Sequence, residues 1–149
     1  MALPSTRERV PENTAEEVNR RIEQQTIADV QRAVAQGRIA QRVSELDKEW
    51  DIERAIEMNA SALAFIGIVL GFFVHPYWLL LPALVTAFLF QHALQGWCPP
   101  VPVLRRMGFR TAHEIELERQ ALKAIRGDYA AVSGSDDRVS VAMAAAERR

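Results

Sequence analysis

The side chains with chemical reach are few, and most fall in one stretch: Asn59, Gln91, His92, Gln95 and Cys98. Cys98 is the single cysteine, so no intramolecular disulfide can form. A thiol acts as a nucleophile only as the thiolate, and Arg105 and Arg106 are the nearby cations that could favour that form. Against this reactive reading stands a structural one, in which Cys98 is a small apolar filler in a turn. A zinc site asks for four ligands, more than this stretch offers, and no metal or other cofactor is expected. His92 admits the same division. It could serve a proton or metal site, or belong to an interhelical hydrogen-bonded cluster with Asn59, Gln91 and Gln95. Intramembrane transport sites usually include a carboxylate, and none lies in this stretch. Ser133-Gly134-Ser135 lacks the strand and helix that a phosphate loop needs, and no Ser-His-Asp or paired-cysteine arrangement occurs. The chain is therefore not expected to be an enzyme.

The segment that must position these groups is set apart by charge. Met58 to Leu104 is a run of 47 residues without Asp, Glu, Lys or Arg, while all 37 charged residues lie outside it. Whole-chain averages such as the net charge of −1 describe neither part. Residues 1–57 carry 9 basic and 12 acidic groups and residues 105–149 carry 9 and 7, neither of which is a nucleic-acid footprint. Within the charge-free part, 55–74 and 77–97 are each about 20 residues, the length that spans a hydrocarbon core of roughly 30 Å. His75-Pro76 between them suits a tight reversal, because proline disfavours helix in the preceding residue and fits the first position of a new one. The expected class is all-α, an integral membrane two-helix hairpin with flanking amphipathic cytoplasmic helices. A soluble protein is the distant alternative, since the charged flanks could not easily cover two such helices.

Arg42, Lys48 and Arg54 precede the first span and Arg105, Arg106 and Arg110 follow the second, whereas the connection carries no Lys or Arg. Both termini are therefore expected in the cytoplasm. Tyr77 and Trp78 at the outer edge and Trp97 at the inner one agree with aromatic preference for the interfaces. Ala60, Ala64, Gly67 and Gly71 align small residues along the first span, and Ala83 and Ala87 offer a shorter small face on the second. The seam closes the hairpin internally or joins two protomers.

Residues 1–54 read as a polar helical arm. Asn13 or Thr14 is the expected cap of a helix with Val18, Ile22, Ile27, Val30 and Val34 along it, weakened or broken at Gly37. Ile39, Val43, Leu46 and Trp50 then form a short seam, and whether the arm is one helix or two stays open. Residues 98–127 read as an extended, proline-rich interfacial path from Cys98 to Pro102 and a helix capped at Thr111 with Glu114. Gly127 ends that helix, and Ile115, Leu122 and Ile125 mark its apolar side. Residues 128–149 read as a flexible tail.

The run Gln91-His92-Ala93-Leu94-Gln95-Gly96-Trp97-Cys98-Pro99-Pro100, followed by Met107-Gly108-Phe109-Arg110-Thr111 and preceded by Asn59 near the start of the first span, resembles the YgaP-like inner-membrane domain family. These are two-helix bacterial domains, and the resemblance covers about residues 50–126. It implies a bacterial inner membrane and homodimerisation through the hairpin. The rhodanese module of the family's namesake is absent, as residues 1–57 contain no cysteine, so sulfurtransferase activity is not carried over. Two functions follow. The first is a membrane-anchored interaction or scaffold module with the lipid bilayer, its own copy and a cytoplasmic protein as partners. The second is a thiol-dependent sulfur or redox accessory protein centred on Cys98.

Overall fold

The computed structural model describes residues 6–130 and 138–147, and every regular element among them is helical. In chain order these are α1 (Thr6–Glu12), α2 (Glu16–Ala35), α3 (Ile39–Leu46), α4 (Ile52–Phe73), a 3₁₀ turn (Pro76–Leu79), α5 (Leu80–Gln95), α6 (Val101–Arg106), α7 (Ala112–Arg126) and α8 (Arg138–Glu147). Packing divides the chain into two units, one of residues 1–22 and 50–113 and the other of residues 23–49 and 114–149. This grouping cuts across the consecutive segments 1–54, 55–97, 98–127 and 128–149 expected from composition.

In the first unit, α4 begins three residues earlier than the apolar pattern predicts, because Asp51 caps it. The Asp51 carboxylate accepts from the Arg54 amide at 2.7 Å, satisfying one of the donors a helix start leaves free. Two helical stretches, Ile52–Phe73 and Pro76–Gln95, are long and apolar enough to cross a membrane. His75 between them is extended and Pro76 opens the 3₁₀ turn. The second stretch stops at Gln95 because Gly96 adopts φ +70°, and its amide closes on the His92 carbonyl at 2.7 Å.

Burial along the pair is uneven. Ile52, Ala55 and Ile56 at the start of α4 join Val10 of α1, Cys98, and Val101 and Leu104 of α6 in one apolar core, with Phe88, Leu89 and Phe109 against it. Away from that base the side chains stand bare: Phe72 is 84% and Tyr77 77% exposed, and Phe73, Val74 and Leu80 are close behind. Only 17% of the first apolar window and 6% of the second are buried.

Two elements here depart from the sequence reading. The segment after Cys98 is helical from Val101, not extended. Pro102 is tolerated because it lies in the first turn, where its missing amide would have had no helical acceptor. Short α1 has one fully buried apolar side chain, Val10, too little pattern to stand out from its polar surroundings.

In the second unit, Ala33, Val43, Leu46, Ile115 and Leu122 form the core, flanked by Val30 and Ile39. The arm before Trp50 is interrupted at Gly37. The Arg38 amide reaches the Ala33 carbonyl at 2.9 Å and the Gly37 amide the Val34 carbonyl at 3.1 Å, a Schellman closure that needs the positive φ of +64° at Gly37. Trp50 does not continue the seam of α3. It lies beyond the helix, half-exposed, with the Arg54 guanidinium 4.3 Å above its ring. Residues Ala112–Arg126 form the expected helix ending before Gly127, but Ile125 is exposed while Ile115 and Leu122 are buried. The expected flexible tail carries α8. Ala145 on α8 is buried, and Lys123 of α7 donates to the Ala146 carbonyl at 2.6 Å, so few large apolar groups suffice where alanine packs and a lysine caps. Ser133-Gly134-Ser135 lies outside the described residues.

An ion network holds this unit together. Arg42 of α3 meets the fully buried Glu118 carboxylate of α7 in a fork, Nε to Oε1 at 2.7 Å and Nη2 to Oε2 at 3.2 Å. The same Nη2 lies 3.3 Å from Asp29 Oδ2 of α2. Taking away one partner of a buried pair costs about 3–5 kcal/mol, whereas replacing both by apolar groups is often neutral. Arg42→Ala is therefore expected to lower stability by about 3 kcal/mol, and adding Glu118→Leu to recover most of the loss, read by thermal melting of helicity on the full chain. Equal melting of Arg42→Ala and the parent would show the network to be incidental.

Candidate functional site

The apolar pair is keyed together by glycine. A Cβ on Gly67 would lie 2.5 Å from Pro82 Cδ and 3.2 Å from the Trp78 carbonyl oxygen, and one on Gly71 would lie 2.6 Å from Leu79 Cδ2. Both glycines are buried, and Ala60 and Ala64 continue their face at intermediate exposure. The small residues named on the second helix are not the counterpart, since Ala83 and Ala87 are both exposed. Bulky Leu79, Leu81 and Pro82 fill the glycine notches instead, so small meets large across the seam. The 3₁₀ turn supplies the reason: three residues per turn instead of 3.6 rotates the start of α5 relative to a continuous α-helical pattern.

The polar residues at the base separate into different settings. The register of Gly67 with Pro82 and Gly71 with Leu79 places Asn59 level with Gln91, yet no hydrogen bond joins Asn59 to Gln91, His92 or Gln95, and Asn59 is exposed. Gln91 reaches only along its own helix, to Gln95 Oε1 at 3.5 Å. His92 is buried, and neither ring nitrogen has a partner among the described residues. No group of three or more His, Cys, Asp or Glu that could hold a metal occurs among the described residues.

Cys98 is buried in the core of the first unit beside Ile52, Val101 and Leu104. Burial pushes its thiol above the ordinary value, away from the reactive thiolate. Arg105, one candidate helper, is itself buried and points elsewhere: its guanidinium donates to Asn19 Oδ1 at 2.8 Å and to the Phe109 carbonyl at 3.2 Å.

The sequence reading overlooked a set of donors that gathers at this base. The last carbonyls of a helix have no partner within it. The Leu94 carbonyl accepts from the Arg9 guanidinium, and the Gln95 carbonyl accepts from Asn13 Nδ2 at 3.2 Å. At the end of α6, Arg21 Nη2 donates to the Arg106 carbonyl at 2.7 Å. Asn13, expected to cap α2, instead bonds backward to the Arg9 carbonyl at 3.0 Å and across to α5. Nothing in local patterning marks such a donor, because its acceptor lies more than 80 residues away.

No family model, curated protein or solved structure matches the chain. The arrangement must therefore be read from its own geometry.

Two outcomes are expected. Gly67→Ala drives a methyl into the Trp78 backbone and Pro82, and overpacking of this kind typically costs about 1–3 kcal/mol. It should melt earlier in detergent by that margin, while Ala83→Leu on the exposed face should not; equal melting of the two would remove the seam. Cys98 should react with maleimide at pH 8 at least about tenfold more slowly in the folded protein than after denaturation, and equal rates would show an accessible, activated thiol.

Proposed function

We propose that this is a small bacterial inner-membrane protein. Its apolar pair spans the bilayer as a hairpin, both flanks lie in the cytoplasm, and it serves as an anchored interaction or scaffold module without catalysis of its own. The observation that carries this reading is the bareness of the pair. A core helix of a soluble protein is mostly covered by its own chain, whereas here 17% and 6% of the two windows are. Burying a large apolar side chain is worth roughly 1.5–3 kcal/mol, so about ten such chains left in water forgo on the order of 15–30 kcal/mol, more than the typical stability of a whole domain. A bilayer recovers that energy.

Orientation rests on Arg54, Arg105, Arg106 and Arg110 flanking the base and on their absence from the His75-Pro76 turn. The resemblance of the Gln91–Pro100 and Met107–Thr111 runs to YgaP-like inner-membrane domains supports a bacterial inner membrane. Homodimerisation, also implied by that resemblance, would have to use faces other than the Gly67 and Gly71 notches, which are filled within the chain. The exposed Ala83 and Ala87 are free for it. The interaction role draws support from Ile27 and Val34 on α2 and Leu117 and Ile125 on α7, large apolar side chains exposed outside the spans. The burial of Cys98 favours this reading over a thiol-dependent one.

The test is membrane extraction combined with site labelling. The protein expressed in bacteria should stay in the membrane pellet through carbonate. In a Cys98→Ser background, a His75→Cys variant should react with an impermeant maleimide from outside intact spheroplasts, while a Glu49→Cys variant should react only after lysis. A carbonate-soluble protein, or labelling of Glu49→Cys from outside, would overturn the topology.

A further inference from the structure

Between α4 and α5, toward the base, runs an apolar groove of about 520 Å³. Ala60 and Leu63 form one wall and Leu84 and Phe88 the other, and Pro100 and Val103 belong to the end wall. That size lies within the range of cavities that hold small ligands, roughly 300–1,000 Å³. Its lining is aliphatic and aromatic except for Cys98 and Asn59, the one amide in it. At the end wall, α6 turns Val103, Arg106 and Met107 outward, and these residues share one face of the helix. The Arg106 guanidinium is exposed and makes no ion pair among the described residues.

We propose that the groove is a binding site for one glycerophospholipid: an acyl chain lies between α4 and α5, Asn59 donates to the ester carbonyl, and Arg106 pairs with the phosphodiester. This rests on the membrane-spanning reading above. Asn59 lies two residues beyond Glu57, the last charge before the apolar run, and so just inside the hydrocarbon boundary, where the ester groups of a lipid reside. The site is hydrocarbon-lined, with a hydrogen-bond donor in its wall and an exposed cation one helical turn beyond Val103 on the same face of α6, and this order of groups complements a phospholipid read from chain to headgroup. A second copy of the chain fits less well. A rigid helix sliding along the groove meets Pro99, Pro100 and α6 across its path, whereas a flexible chain ends there and its headgroup turns out to the interface. Water is a poor occupant of so apolar a space.

The full chain, purified in maltoside micelles and stripped of lipid, is titrated with palmitoyl-oleoyl phosphatidylglycerol and followed by native mass spectrometry. One lipid should bind saturably. Arg106→Gln should weaken it by about tenfold, the usual size of a charge-assisted phosphate contact. Ala60→Leu, which fills the groove, should abolish saturable binding, while Ala87→Leu on the exposed face should leave it unchanged. Lipids attaching one after another without saturation, or alike to all four proteins, would overturn the proposal. Helicity of each variant and its retention in the carbonate pellet are read separately. A groove that binds nothing in a protein that still pellets sinks this inference alone, whereas loss from the pellet sinks the anchor reading beneath it.

Discussion

A helix that ends leaves its last carbonyls without amide partners, and in this chain one of the two long apolar helices ends against its own packed base. Much of the first unit follows from that constraint. The Leu94 and Gln95 carbonyls are served by Arg9 and Asn13, and Gly96 turns the backbone back so that its amide closes on His92. The donors must come from a polar segment, which is why a short charged helix with one large apolar residue, Val10, docks where the apolar pair begins and ends. Arg105, buried beneath, is held the same way by Asn19 and the Phe109 carbonyl. A buried guanidinium is tolerable here because both its Nη1 and Nη2 groups have acceptors.

The other end of the pair answers to a different rule. There the two helices touch through Gly67 and Gly71, with Leu79, Leu81 and Pro82 set into the gaps, and almost nothing else covers them. Toward the base the same face of α4 carries Ala64 and Ala60 in place of the two glycines, and the apolar groove opens there, lined by Ala60 and Leu63 on one helix and Leu84 and Phe88 on the other. The second unit shares the capping device, through Lys123 at the end of α8, and adds another. Its small core of alanine, valine, leucine and isoleucine is tied by the Arg42, Asp29 and Glu118 network, which links three helices through side chains.

The sequence exposes whatever depends on composition and local stereochemistry. The charge-free run announces two long apolar helices, Pro76 the break between them, and Gly37, Gly96 and Gly127 the ends of three helices, since positive φ is cheap at glycine. It hides whatever depends on distant partners. The counterpart of the glycine face is Leu79, Leu81 and Pro82, not Ala83 and Ala87, because the 3₁₀ turn sets the phase and residue type does not reveal it. Asn59 and Gln91 share a level without bonding, and of the two readings open for Cys98 the buried position agrees with the apolar filler. Helices α1, α6 and α8 are too short for periodicity to be counted, and each is fixed by a contact far along the chain.

The Arg9 contact with the Leu94 carbonyl joins residues 85 apart. At ribosomal speeds of about 5–20 residues per second, α1 waits roughly 4–17 s before its acceptor has been made. During that interval Val10 can meet only the α4 part of its core, Ile52, Ala55 and Ile56, while Cys98, Val101 and Leu104 are still to be made. The base of this protein is therefore the last part of the first unit to assemble, and a chain cut short after α4 carries a docking helix with half of its core and neither of its α5 carbonyls.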